Sequence, residues 1–287
     1  MDQKYKGIFY IVISAFCFAL MNLFVRMAGD LPSVQKSFFR NFVAAVFAFL
    51  LLKKEYVPFR CKRENLKYLL LRAGFGTVGI LCNFYAIDHL VLADASMLNK
   101  TSPFFAVICS YFVLKEKVTV PQGLLVAGAF FGSLFVIKPT FANVELLPSL
   151  LGLLGGLGAG IAYTMVRRLG EGGEKGAFIV FFFSVFSCVV TLPWIAFDYH
   201  PMTMAQTAIL LLAGTAAAGG QFAITAAYCY APAREISVYD YSQIIFSAVL
   251  GFVVFGQMPD ALSWLGYGII CAMAVLMFFY NNRKQND

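Results

Sequence analysis

Apolar residues fill this chain in runs of about 20, each long enough to cross a hydrocarbon core about 30 Å thick, and charge clusters or prolines punctuate the runs. They predict spans near residues 7–28, 34–52, 66–87, 91–114, 120–137, 149–168, 176–197, 205–229, 233–256 and 260–280. No intervening stretch is long enough to bury a separate soluble core. The expectation is an all-α integral membrane protein with ten transmembrane helices. Lys4 and Lys6 before the apolar run from Ile8 look like the start of a secretory signal. That run continues to Met27, however, and is read as the first span.

Composition agrees: of 287 residues, 60% are hydrophobic and 13% charged, with mean hydropathy +0.77. Placing the N-terminus inside puts sixteen of the 22 Lys and Arg residues in inner loops and termini. Counting residues at span ends with the side they adjoin, three fall outside (Arg26, Lys36, Lys138) and three deep within spans (Arg40, Arg72, Lys100). Positive charge is retained on the cytoplasmic side, so both termini are expected there, in a multi-pass protein of the cytoplasmic membrane. Topology thus accounts for the net charge of +7, and no nucleic-acid partner is inferred from it. The seven cysteines form no CxxC pair, and His89 and His200 fall in short loops, so neither a disulfide framework nor a metal site is expected.

Sliding the chain by 141 residues superposes the spans of its first half on those of its second. Val25 and Arg26 fall on Val166 and Arg167, Phe42 on Phe183, Ser96 on Ser237, and Val113 on Val254. Residues 1–140 and 141–287 therefore read as two five-helix repeats. An odd number of spans per repeat turns the second copy upside down relative to the first. The inner-loop stretch Lys115-Glu116-Lys117 corresponds to Gly256-Gln257-Met258, so the lysines are absent where the second copy faces outside. Inverted repeats place a shared cavity at mid-membrane that rocking exposes to each side in turn, which is how a carrier works.

The polar interruption of the fourth span is the main candidate for chemistry. Lys100 lies about 14 Å deep at the helical rise, too far for its stem to reach either surface comfortably. Pro103 cannot donate to the carbonyl of Asn99, so a polar break is expected around Asn99, Lys100 and Thr101, facing protein or a watery cavity. In the second copy, Asp240 aligns with Asn99, Tyr241 with Lys100, Gln243 with Ser102, and Glu235 with Asp94. Two readings stay open: Lys100 and Asp240 neutralise each other, or they hold opposite ends of a zwitterionic or anionic substrate. Asp94 either pairs locally or contacts substrate. Arg40, about 9 Å inside the second span, either grips a carboxylate or phosphate or steadies the outer rim. Arg72 is expected to snorkel to the basic inner loop. Asn22, Asn83, Tyr85, Tyr163, Gln221, Thr225, Tyr228 and Gln243 are polar span residues that either face substrate or bond neighbouring helices. Gly152, Gly156 and Gly160 share one face, which suits close helix packing.

SFFRNFVAA (37–45), SPFFAVICSYFVLKEKVTVPQGLLVAGAFFG (102–132) and YSQIIFSAVLGFVVFGQMPDALSWLGYGI (241–269) resemble the drug/metabolite transporter superfamily in its EamA branch. APAREISVYDYSQ (231–243) is similar to the subgroup near the eukaryotic solute carrier family 35. The resemblance implies ten helices with cytoplasmic termini and a central cavity lined by the first four helices of each repeat. It also implies peripheral fifth and tenth helices for packing or homodimer contact. The aromatic position common in the family's first span is held here by Asn22 and, in the second copy, Tyr163.

The sequence therefore points to a secondary active transporter of a small polar metabolite, anionic or zwitterionic, working by alternating access. The alternative is an exporter of cationic or lipophilic compounds, suggested by the 16% aromatic content. No GxxxxGK[ST] motif offers direct ATP drive, and no HExxH, GxSxG or CxxC set supports an enzyme. No cofactor is expected. Proton coupling would use Asp240 or Asp94.

Overall fold

The computed structural model describes residues 3–57, 59–113, 119–137, 145–230 and 238–283. The inner-loop stretch 115–117, Glu235 and the junction between the two repeats lie outside them. Among the described residues every regular element is helical: α1 (Gln3–Met27), α2 (Ser33–Lys54), α3 (Leu66–His89), α4 (Leu92–Asn99), α5 (Ser102–Val113), α6 (Val120–Ile137), α7 (Leu146–Glu171), α8 (Gly176–Phe197), α9 (Met204–Tyr230), α10 (Ser242–Phe255) and α11 (Ala261–Arg283). Among the described residues, nine helical segments are long and apolar enough to cross a membrane, the one containing α10 starting at Val238. The ninth expected span is thus described from there on.

The expected fourth span is instead two shorter helices, of 8 and 12 residues, parted at Lys100 and Thr101. Pro103 has no N–H to continue the α4 ladder, but it suits the first turn of a new helix, so α5 restarts beside it. Thr101 closes the gap locally: its hydroxyl donates to the Leu98 carbonyl at 2.6 Å, and its carbonyl accepts from Phe104 at 3.0 Å.

Small residues let α7 carry this break on one face and α3 on another. A Cβ added at Gly156 would sit 2.5 Å from Thr101 Oγ1 and 2.8 Å from the Leu98 carbonyl oxygen. One added at Gly160 would meet the Ser102 carbonyl oxygen at 2.7 Å, and one at Gly158 would meet Gly79 of α3 at 2.8 Å. Such approaches exclude any side chain and bring the helices to backbone contact.

The remaining packing interleaves the two halves. α1 packs on α9 and α10, α3 and α4–α5 pack on α7, α2 packs on α8 and α9, and α6 packs on α11. Burial is inverted relative to a water-soluble protein. Ser14, Asn22, Asn41, Lys100 and Asp240 are buried, while Phe47, Leu50, Val189, Phe252 and Val253 are exposed. Apolar surface on that scale faces lipid, so the chain is a multi-pass membrane protein.

Candidate functional site

Where α4 ends, Lys100 turns its ammonium toward the helical residues just before α10, and Nζ lies 2.5 Å from Asp240 Oδ2. The two side chains are 4% and 1% exposed. Asp240 Oδ1 has no hydrogen-bond partner among the described residues. The ion pair joins the α4–α5 break to the start of α10, which are equivalent places under the 141-residue offset.

Lys100 also lines a central cavity between α1, α2, α3, α7, α8, α9 and α10. The space leaves about 70 Å³ for the centres of water molecules, enough for several waters. Eight of the expected residues line it: Asn22, Arg40, Asn83, Asn99, Lys100, Tyr163, Gln221 and Gln243. Asn22 donates to Ser96 Oγ at 3.3 Å, and Ser96 in turn donates to Ser247 at 2.8 Å. Asn22 Oδ1 and Asn83 Oδ1 have no partner among the described residues.

The other candidates sit elsewhere. Asp240 is behind Lys100 rather than on the wall. Tyr228 lies behind Tyr163, ring centroids 5.7 Å apart. Thr225 sets its methyl against Gly176. Asp94 accepts a 2.7 Å hydrogen bond from Tyr267 of α11. Tyr85 stacks on His89 at 4.2 Å, at the end of α3.

Two expectations about cations are corrected. Arg72 does not snorkel; it is 2% exposed and lines the cavity, its guanidinium carbon 4.0 Å from the centre of the Phe183 ring. Arg40, also 2% exposed, approaches the same ring at 5.7 Å. Gly76, one turn along α3 from Arg72, leaves the room: a Cβ there would overlap the Arg72 guanidinium. An arginine followed four residues later by glycine is the sequence signal that would have pointed inward. Lys36 is likewise not an exposed loop charge. It is fully buried and pairs with Asp88 at 2.6 Å.

That pair belongs to a group of ties at the end expected to face outside. Arg26 of α1 donates to the Ile87 carbonyl at 3.0 Å and to the Leu90 carbonyl, and stacks 5.3 Å from the Phe255 ring. Gln257 accepts from the Leu92 backbone at 3.3 Å. These ties hold α1 and α2 to α3, and the segment after α10 to α4.

Comparison with known proteins matches this architecture throughout. The EamA-like transporter family matches twice, over residues 5–138 and 146–279. The pseudopaline exporter CntI of Pseudomonas aeruginosa is 30% identical over 278 residues, covering 96% of each chain. A riboflavin transporter of Vibrio cholerae is 26% identical, covering 97% of this chain and 95% of its own. Human solute carrier family 35 member G1 is 24% identical over 93% of this chain and 77% of its own. A solved crystal structure covers 96% of this chain with a TM-score of 0.71 at 12% identity, a likeness of fold. The duplicated match, spanning nearly the whole chain, and the shared helical architecture establish that this is a membrane transporter rather than an enzyme, and that it belongs to the EamA-like transporter family.

Proposed function

We propose that the protein is a secondary carrier for a small anionic or zwitterionic metabolite in the cytoplasmic membrane, working by alternating access between two inverted five-helix repeats. One observation carries the substrate class: the buried cavity is lined by Arg40, Arg72 and Lys100, against a single adjacent carboxylate among the described residues, that of Asp240. Burying cations at mid-membrane is costly unless something answers their charge. The same excess of positive charge opposes the reading as an exporter of cationic compounds.

The packing pattern supports a twofold relation between the repeats, and the odd number of spans in each turns one copy over. α1 on α9 mirrors α7 on α3, and α1 on α10 mirrors α7 on α4–α5, as exchange of repeats about a twofold axis requires. The ties of Arg26, Lys36–Asp88 and Gln257 then close the outer end, and the transport cycle breaks and remakes them. Lys100 releases Asp240 to meet solute, and Asp240 is the group for any coupled proton, since Asp94 is held by Tyr267. Relatives named for pseudopaline and riboflavin support a polar organic solute, and the exporter supports outward movement as the first direction to test.

The test is a thermal-stability panel of the purified protein with organic acids, amino acids, nucleosides and amines, followed by uptake of any hit into proteoliposomes. Stabilisation by an acid or amino acid and loss of its transport in Lys100→Ala are expected. Stabilisation by hydrophobic amines alone would refute the substrate class, and normal transport by Lys100→Ala would remove Lys100 from the site.

A further inference from the structure

We propose that Arg40 and Arg72, both near Phe183, form a second anion subsite distinct from Lys100–Asp240, and that the transported solute carries two negative groups. This rests on the carrier reading above and narrows its substrate class to dianions, dicarboxylates first.

Three cations line one cavity, and Lys100 is answered by Asp240, which leaves the two guanidiniums. Neither makes an ion pair with any described residue, and the Nε of each is buried without a hydrogen-bond partner among them. Both guanidinium carbons lie near one ring centre, at 5.7 and 4.0 Å, so the charges are no more than about 10 Å apart. Two like charges so placed repel in a low-dielectric setting, and an anion between or beside them relieves both.

The arrangement is built and held. Arg40 donates to Asn41 Oδ1 at 2.5 Å. Asn41 is fixed in turn by donating to the Ser37 carbonyl at 2.9 Å and to Ser187 Oγ at 2.8 Å. The Phe183 face orients both guanidiniums by cation–π attraction, leaving N–H edges for a carboxylate or phosphate. The uncompensated charge of two matches a solute with two carboxylates, or one doubly ionised phosphate, better than a monoacid.

The experiment compares matched probes on the full-length protein in detergent: succinate against butyrate, which share a carbon count but differ by one carboxylate, with inorganic phosphate as a separate arm. Wild-type protein is expected to half-saturate with succinate at a concentration about tenfold or more below butyrate. Arg72→Gln is expected to weaken succinate about tenfold or more and to narrow its advantage over butyrate. If phosphate shows the Arg72-dependent response in place of succinate, the dianion is a phosphate. Should Arg72→Gln fail to yield monodisperse protein, Arg72→Lys decides. It keeps the charge but loses the paired N–H geometry, and is expected to weaken the dianion.

Equal binding of succinate, phosphate and butyrate by wild type, or unchanged dianion binding in Arg72→Gln or Arg72→Lys, overturns the subsite. A carrier of monoacids or zwitterions would still stand in that case. Failure of every acid and amino acid to bind overturns the carrier's substrate class as well.

Discussion

Replacing the Lys100–Asp240 pair one member at a time, and then together, separates its structural role from its role in transport. Lys100→Met leaves the Asp240 carboxylate 1% exposed, with one oxygen already lacking a partner among the described residues and the other stripped of its 2.5 Å contact. Removing one member of such a buried pair costs about 3–5 kcal/mol, because an uncompensated charge stays behind. Asp240→Asn strands the ammonium at mid-membrane and is expected to cost a similar amount, reduced by whatever hydrogen bond the amide accepts from it. The double variant buries no charge here, so the cycle is expected to return a coupling of about 2 kcal/mol or more. Unfolding in mixed micelles, followed against the fraction of denaturing detergent, measures all four proteins. Transport by the double variant is expected to stay abolished even though stability returns, because the cavity has lost a lining cation. Single variants that each lose less than about 1 kcal/mol, with a double equal to their sum, would refute the view that the pair is buried and coupled. A double variant that transports normally would reduce it to a structural tie.

Gly156→Ala is expected to destabilise by about 1–3 kcal/mol and to lower transport, since its Cβ would press 2.8 Å from a backbone carbonyl oxygen; unchanged thermal stability would refute the tight α7 contact. Gly170→Ala, with nothing within 4 Å, is the control, expected to be neutral or to gain up to about 1 kcal/mol. Asp88→Asn is expected to loosen the outer end, so that a cysteine placed at Asn83 in a cysteine-free background reacts faster with a membrane-impermeant maleimide added outside. An unchanged rate would remove Asp88 from the closure. Tyr85→Phe is expected to leave solute affinity within about twofold, while Asn83→Ala weakens it. Equivalent effects from the two would place Tyr85 in the site after all.

Spans and the break were legible because both rest on local properties: the length of an apolar run and the missing N–H of Pro103. Lys100 and Asp240 were legible as partners only through the duplication, which lends each a matched depth in the other copy. What the sequence could not supply was direction around a helix. Asn83 and Tyr85 lie two residues apart on α3, about 200° round its axis, so one faces the cavity and the other His89. Arg72 sits at a depth from which a long side chain reaches either the inner rim or the interior. The choice fell to the space over Gly76 and the Phe183 ring brought in by α8. Lys36 looked like an outer-loop charge because its partner, Asp88, is 52 residues away and nothing in either segment announces the other.

The 141-residue offset puts Ala177 where the first copy has Lys36, so the ion pair to Asp88 is not duplicated at the opposite face. In a carrier that cycles passively, two perfectly matched halves would divide idle molecules equally between the two orientations. On the proposed topology and cycle, a buried ion pair that the second copy cannot form at the equivalent position breaks that parity and turns the empty binding site more often toward the cytoplasm. Solute arriving from that side meets a ready site, whereas solute from the other side must wait for the rarer orientation. Half-saturation constants measured from the two faces then differ, while detailed balance keeps the ratio of maximal rate to half-saturation the same for both.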